Sequence, residues 1–188
     1  DEVNTGTVFR SDDGETWESA GSLAMEGYDL RDAHLAVTPD DRLMVLGGAA
    51  IVNDEGRKTG TFAAFSTDGQ TWSEPQIVVE PGRWLWQVTW HKGTAYGVAY
   101  ACPEGKPHSS LLISDDGINW DTHVPELLSK GWPTEATIRF GEDDTLYCLH
   151  RRDEGADPGV TAVLVYPMNA LVNDQLDRLR RMLAGSKI

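Results

Sequence analysis

Charged side chains that could bind an anionic group and move a proton stand at two places in this 188-residue chain. Arg31 and Asp32 open the run "RDAHLAV", and Glu135 precedes Arg151 by sixteen residues in "TEATIRFGEDDTLYCLHRR". A guanidinium can bind a carboxylate through two parallel hydrogen bonds, whereas a carboxyl group can act as a general acid or base. Because Glu135 and Arg151 fall on the two strands of one predicted hairpin, they can also pair with each other, and both interpretations stay open.

Aromatic side chains form a second candidate surface, in the run "RWLWQVTWHK". Strand alternation places Trp84, Trp86 and Trp90 on one face, and Gln87 and His91 on the other. Such tryptophans can fill the core between sheets, or their ring faces can stack on sugars. We take core packing as the first interpretation, and name Trp84 and Trp86 as candidate substrate-binding residues under the second.

A short motif that recurs three times indicates how these residues are positioned. The copies "SDDGETW" at 11–17, "STDGQTW" at 66–72 and "SDDGINW" at 114–120 share the pattern S-x-D-G-x-[T/N]-W, at spacings of 55 and 48 residues. Asp-Gly is a turn dipeptide, and repeats of this length are typical of propellers and solenoids. We therefore assign the motif to a hairpin turn that each repeat needs, without a catalytic role.

Strand and turn signals between the copies predict four strands per repeat. We count about thirteen strands: two in an initial part-blade, four in each of two full blades, and three in a last part-blade. The predicted fold is mostly β, a partial β-propeller of about three four-stranded blades, with an incomplete ring over residues 1–158. Residues 159–188 form a divergent tail, with a β run at 160–166 followed by a helix that ends before Gly185.

The three copies resemble the Asp-box (BNR) repeats of sialidase-type β-propellers, a resemblance that covers residues 1–158. It implies a site at the ring centre, with arginines that bind an anionic sugar, an acid/base residue, and a tyrosine nucleophile assisted by a glutamate. By this resemblance Arg31 and Arg151 are two of the arginines and Glu135 is the glutamate. Asp54 in the loop "IVNDEGRK" is the candidate acid/base, with Glu55 as the alternate. A third arginine and the tyrosine have no counterpart, so the chain is not expected to assemble the full site alone.

The run "RDAHLAV" is also similar to the Arg-Asp-Pro strand of five-bladed glycosidases. That resemblance implies that Asp32, rather than Arg31, contacts sugar hydroxyls, and that Glu135 is the general acid. Both resemblances give Glu135 a role, so it is the first candidate for a catalytic residue. Its alternative is a structural salt bridge with Arg139 or Arg151.

The tail, residues 159–188, differs from the preceding chain in charge. It carries four basic and two acidic residues, whereas the whole chain has a formal net charge of −14. Its segment "YPMNALVNDQLDRLRRML" resembles motif Ia of superfamily 2 helicases, but the sequence has neither their phosphate loop nor their Asp-Glu-x-His segment. We expect residues 1–158 and 159–188 to have separate origins; the alternative is an ordinary strand and helix that seal the last blade.

The acidic charge argues against a nucleic-acid partner, because phosphates would be repelled. No apolar run has the length of a membrane span, no His or Cys cluster has metal-ligand spacing, and no cofactor is expected.

Cys102 and Cys148 are too few for a disulfide framework; we expect free thiols, although a bridge stays open. The chain opens "DEVNTG" without a targeting segment. We expect a mature or partial form, and the sialidase resemblance implies a periplasmic or extracellular location.

The predicted function is a sialidase-like glycoside hydrolase, or a fragment of one, with an anionic or other carbohydrate bound at the propeller centre. The alternatives are a non-catalytic propeller that binds carbohydrate or protein, and an inactive truncated chimera. Whether the chain is an enzyme depends on completion of the ring. Uncovered blade faces also predict self-association.

Overall fold

The computed structural model describes residues 5–53, 56–101 and 107–154. These residues form twelve β-strands and no helix. The strands are β1 (Gly6–Arg10), β2 (Glu18–Leu23), β3 (Asp29–Val37), β4 (Leu43–Asn53), β5 (Gly56–Ser66), β6 (Gln76–Val79), β7 (Arg83–His91), β8 (Thr94–Ala101), β9 (Ser109–Ser114), β10 (Asp121–Leu128), β11 (Pro133–Phe140) and β12 (Leu146–Arg152).

The strands form four antiparallel sheets, which we call blades 1 to 4 in chain order. Blade 1 contains β1 and β2, blade 2 contains β3 to β6, blade 3 contains β7 to β10, and blade 4 contains β11 and β12. In each full blade, strands that are consecutive in the chain are also neighbours in the sheet. This arrangement is part of a β-propeller, so the predicted mostly-β class is confirmed. All described strands lie within one compact unit, Asp1–Ala156.

The strand counts of the first three blades are those predicted, namely two, four and four. For the last blade we predicted three strands, of which the structure describes β11 and β12. The predicted strand at 160–166 and the predicted C-terminal helix lie outside the described residues. Within the described ranges, no helix has the length and apolar character needed to cross a membrane.

Apolar side chains on the facing sides of consecutive blades form the core. The cluster between blades 2 and 3 includes Met44, Leu46, Phe65, Leu85 and Val88. The cluster between blades 3 and 4 includes Val98, Leu111, Ala136 and Ile138. The cluster between blades 1 and 2 includes Leu23, Leu30, Val45 and Phe62. Removal of these faces from water is the main favourable contribution to folding, and it requires neighbouring blades.

Polar contacts fix the position of one blade against the next. The backbone N–H of Leu85 in blade 3 donates a 2.8 Å hydrogen bond to Oγ1 of Thr61 in blade 2. Lys92, in the turn after β7, forms an ion pair with Asp144 in the turn after β11. Hydrogen bonding from Lys92 is the main cause of the lowered pKa of Asp144. The turns of adjacent blades are therefore connected by charge as well as by apolar packing.

The recurring motif forms the same hydrogen-bonded turn in all three copies. At 114–120, Ser114 Oγ accepts a hydrogen bond from the N–H of Gly117 and donates one to Asp116. Oδ1 of Asp116 accepts hydrogen bonds from the N–H groups of Ile118 and Asn119, at 2.7 and 2.8 Å. The other two copies make the equivalent bonds, and the glycine has a φ of 71° to 77° in all three. The assignment of the motif to a turn is therefore confirmed.

These hydrogen bonds stabilise the charged form of each aspartate. Backbone N–H groups lower the pKa of Asp68 to about 2, and they lower the pKa of Asp13 in the same way. At Asp116 partial burial alone would raise the pKa, but the N–H groups of Asn119 and Ile118 more than offset it and leave the pKa at about 2. The carboxylate therefore contributes to folding through these turns.

Replacement of Asp116 by alanine should destabilise the protein, because four hydrogen bonds to its carboxylate are lost. We expect the free energy of unfolding to fall by about 1–2 kcal/mol after allowance for solvent screening, measured by urea denaturation. The matched control is Asp115→Ala in the same turn, which removes only one long hydrogen bond from Thr94, at 3.5 Å.

The loss of stability caused by Asp116→Ala should also depend on pH. Because the pKa of Asp116 is lower in the folded protein than in the unfolded chain, its contribution is complete above the unfolded-state pKa and is lost as the pH falls towards about 2. Asp116→Ala should therefore cost less stability at pH 3 than at pH 7. An equal loss of stability at both pH values would contradict this assignment.

Candidate functional site

The first strand of blades 2, 3 and 4 contains a β-bulge at the same place. In β3, Arg31 pairs with Gly48 but His34 pairs with Leu46, so β3 has one extra residue in the ladder. The same irregularity separates Leu85 from Val88 in β7 and Pro133 from Ala136 in β11. The bulges are spaced by 54 and 48 residues, close to the spacing of the turn motifs. A bulge redirects side chains. Because the bulge recurs at the same place in three blades, the residues at the three bulges occupy equivalent positions.

Each bulge leaves two residues of the first strand outside the ladder. These pairs are Asp32–Ala33, Trp86–Gln87 and Thr134–Glu135, and we call the six residues the bulge row. The ring of Trp86 lies edge-on to that of His34 in blade 2, with 5.1 Å between the ring centroids. Gln87 Oε1 accepts a 2.6 Å hydrogen bond from Thr137 Oγ1 in blade 4. The bulge row therefore follows the first strands of three consecutive blades.

The charged candidates lie in or next to this row. Asp32 is exposed and has a φ of 48°, in the left-handed region, as a bulge residue. Glu135 forms a 2.7 Å salt bridge with Arg151 on the neighbouring strand β12, the pairing that the hairpin allows. Arg151 also contacts Asp153, and its pKa is raised, mainly by the hydrogen bond with Glu135. Carboxylates and guanidinium groups thus meet at the point where the strands bulge.

Arg31 has a different environment from Arg151. It is half-buried and forms an ion pair with Asp29 on its own strand. Its Nε is buried without a hydrogen-bond partner. Both candidate arginines are therefore already paired with carboxylates of the protein. The alternative partner of Glu135, Arg139, instead donates a 3.0 Å hydrogen bond to Thr89 Oγ1.

The tryptophans do not share one face, so that prediction was wrong. The bulge between Leu85 and Val88 shifts the alternation, and Trp84 then pairs with Tyr100 whereas Trp90 pairs with Ala95. Partners five residues apart lie on opposite faces of β8, so Trp84 and Trp90 do as well.

Trp84 and Trp86 differ in burial. Trp84 is 8% exposed, and a Cβ on Gly48 would lie only 2.5 Å from its ring, so the ring packs against β4 of blade 2. Trp86 is only partly buried and lies 5.5 Å from Trp84 between ring centroids. Of the two candidates for sugar stacking, Trp86 is therefore the more exposed.

The bulge row also has an unusual concentration of unpaired polar atoms. Seven buried side-chain atoms among the described residues lack a hydrogen-bond partner, and four of them lie in or next to the bulges: Arg31 Nε, His34 Nε2, Trp84 Nε1 and Thr134 Oγ1. Buried polar groups are normally satisfied, so these four atoms are exceptions within the described residues. Burial also lowers the pKa of His34, although the nearby charge of Asp32 opposes that shift. From the sequence alone, His34 and Thr134 were not identified as candidate site residues.

Two earlier candidates cannot be placed. Asp54, the predicted acid/base, lies outside the described residues, as does Cys102. Cys148 is a free and exposed thiol on β12. In the described part of the chain, no group of three or more His, Cys, Asp or Glu side chains could hold a metal ion.

No model of a known protein family matches the chain. It is similar in structure to a mutant of the Bombyx mori GH32 β-fructofuranosidase in complex with sucrose, with a TM-score of 0.57 and 18% identity over 77% of this chain and 34% of that one. A thermostable family-43 glycoside hydrolase gives a TM-score of 0.53 and 13% identity, over 78% and 61% of the two chains. The endo-arabinase of Bacteroides thetaiotaomicron gives 0.51 and 11%, over 81% and 67%.

At these identities the structural similarity establishes the propeller fold alone. The chain spans about a third of the length of the β-fructofuranosidase. One sequence similarity is much shorter: the chain is 63% identical over 30 residues to the Druantia protein DruE of an Escherichia coli strain. That match covers 16% of this chain and 2% of DruE.

The contact between Gly48 and Trp84 can be tested by a double-mutant cycle. Gly48→Ala places a Cβ against the ring of Trp84, and such overpacking should cost about 1–3 kcal/mol in the free energy of unfolding. In a Trp84→Leu background the same substitution should cost less, because the smaller side chain leaves room. Gly6→Ala is the control, since its nearest neighbour would lie at 3.9 Å. Additive costs of Gly48→Ala and Trp84→Leu would contradict the packing.

Proposed function

We propose that the bulge row is part of the carbohydrate site of a propeller glycoside hydrolase, with Asp32 and Glu135 as its carboxylates and Trp86 as a stacking surface. One observation carries the proposal: the same bulge recurs in three adjacent first strands and turns these residues out of the regular ladder. The turn motif and the similarity to structures titled β-fructofuranosidase, glycoside hydrolase and endo-arabinase support it.

Each side chain has a distinct role in this proposal. Trp86 stacks on the apolar face of a sugar ring, and the exposed Asp32 accepts hydrogen bonds from sugar hydroxyls. Glu135, paired with Arg151 at 2.7 Å, is a carboxylate that accepts a proton or orients a nucleophile. Glycoside hydrolysis commonly uses two carboxyl groups at the scissile bond. Asp54 remains a proposed acid/base, from the loop between β4 and β5.

The charge balance at the row favours a neutral sugar over an anionic one. Arg31 pairs with Asp29, and Arg151 pairs with both Glu135 and Asp153. With Asp32 added, carboxylates outnumber guanidinium groups among these described residues. A sugar carboxylate would have to displace a protein carboxylate from its arginine, which costs interaction energy.

An anionic sugar remains the second candidate, as in the sialidase-like prediction. It is favoured by the resemblance of the three turn motifs to Asp-boxes in sequence and by the presence of two arginines at the row. A third possibility, carbohydrate binding without catalysis, shares the stacking role of Trp86. Measurements on the chain separate these three.

Saturation-transfer NMR with arabinobiose, sucrose and sialyllactose tests the proposal. We expect a neutral disaccharide to bind, and Trp86→Ala to weaken its affinity about 2- to 10-fold through loss of stacking. Glu135→Gln should keep binding but abolish any release of reducing sugar, whereas Glu142→Gln in the exposed turn after β11 should change neither. Preferential binding of sialyllactose would favour the anionic alternative. Absence of binding to all three sugars would refute a carbohydrate site.

We also infer that residues 159–188 have an origin separate from the propeller. The segment has a basic balance in an acidic chain, and the 30-residue similarity to DruE is as long as the segment itself.

A chain truncated after Pro158 should keep the urea midpoint and the near-ultraviolet circular dichroism of the full chain. The control is a chain truncated after Phe140, which lacks β12 and should lose cooperative unfolding. A lowered midpoint after Pro158 would instead support the alternative, in which the tail seals the last blade.

A further inference from the structure

Blades 1 and 4 are complementary halves of one blade. In blades 2 and 3 the turn motif joins the third strand to the fourth, and in blade 1 the same motif joins β1 to β2. Blade 1 is therefore the outer half of a blade. In blades 2 and 3 the bulge lies in the first strand, and in blade 4 it lies in β11. Blade 4 is therefore the inner half.

We propose that two copies of this chain complete each other, with β12 of one copy paired antiparallel to β1 of its partner. In the full blades the second strand pairs with the third in this way, as β4 does with β5 and β8 with β9. The β11–β12 hairpin and the partner's β1–β2 hairpin then make one four-stranded blade. Two such junctions give six four-stranded blades from the two copies, a closed ring in which β12 and β1 are paired and only the inner and outer strands of each blade remain as edges.

The two strands that would pair are more exposed than their equivalents in blade 3. On β12, Tyr147 is 61% and Leu149 46% exposed, whereas the residues of β8 are all buried or half-buried. On β1, Phe9 is 57% exposed, whereas β9 is almost wholly buried. Middle strands of a blade are covered by neighbours on both sides, so this exposure is the pattern expected of strands that pair on one side only among the described residues.

The face of β3 is open in the same way. Leu35 and Val37 are 57% and 60% exposed. Leu35 lines a groove of about 290 Å³ together with Phe9 and Leu30. The first strand of blade 3, β7, packs against blade 2, and the first strand of blade 4, β11, packs against blade 3. In the two-copy ring the partner's β11 would lie against β3 as β11 lies against β7, so the new contact continues the interface that already joins the blades.

This arrangement also completes the bulge row. The bulge of the partner's β11 would lie beside the bulge of β3, and would bring the partner's Glu135 next to Asp32. Within one copy, those two residues are separated by the bulge of β7. The dimer does not depend on which sugar binds, so its test is independent of the proposed function.

A cross-link between β1 and β12 tests the arrangement directly. Counted from the bulge, Cys148 is equivalent to Met44 and Ala95, which pair with Phe65 and Ser114. The partner's residue 10 should therefore face Cys148 or its neighbour Leu149.

In the full chain with Cys102→Ser, Arg10→Cys should form a disulfide-linked dimer on treatment with oxidised glutathione, because opposed residues of paired strands have Cβ atoms close enough to bridge. The register shifted by one residue is tested with Arg10→Cys, Leu149→Cys and Cys148→Ser together. Asp121→Cys on the outer strand β10 is the control and should not cross-link to Cys148.

Light scattering gives the mass before oxidation. Because each chain carries a formal net charge of −14, mutual repulsion opposes association, and the dimer fraction should rise between 0.05 and about 0.5 M NaCl as salt screens it. A mass of two chains with a cross-link in either register supports the proposal. A monomer at both salt concentrations overturns it, as does a dimer that cross-links in neither register or equally well through Asp121→Cys.

Discussion

No blade of this propeller can bury its own apolar faces, and most features of the structure depend on that constraint. A four-stranded sheet presents side chains on both sides, so Met44 and Leu46 leave water only because Leu85 and Val88 of the next blade cover them. The chain must therefore return to the same strand order with the same spacing, blade after blade. The turn motif recurs because the sheets must recur at a distance that lets their faces pack.

The bulge reconciles this packing with the presentation of polar groups. Leu85 and Val88 flank the bulge in β7, and both remain in the core cluster. The two residues between them, Trp86 and Gln87, contact the first strands of the blades on either side. A regular strand would alternate every residue between the faces, whereas the extra residue frees a pair of positions without disturbing the core. A cost is visible at Asp32, whose φ of 48° is unfavourable for a residue other than glycine.

The turns could be predicted from the sequence but the bulges could not, and the reason is physical. The requirements of the turn are local: a glycine at positive φ, and an aspartate whose Oδ1 accepts hydrogen bonds from residues two and three positions later. The pairing of Glu135 with Arg151 was also accessible, because a hairpin defines which residues meet. A bulge depends instead on the register against another strand. The prediction of strict alternation therefore put Trp90 on the wrong face of the strand. The aromatic contact of His34 could not be predicted either, because its partner is a tryptophan of the next blade.

Aspartate serves opposite purposes at the two places. In the turns, Asp68 and Asp116 are satisfied by backbone donors, and their pKa values of about 2 keep them charged for the sake of the fold. At the bulge row, Asp32 is exposed in a strained conformation, beside polar atoms that have no partner within the protein. Part of the acidic charge of the chain is thus a requirement of its turns and carries no information about ligands. The carboxylates that the turns do not use include Asp32 and Glu135, which lie in the bulges of two different first strands.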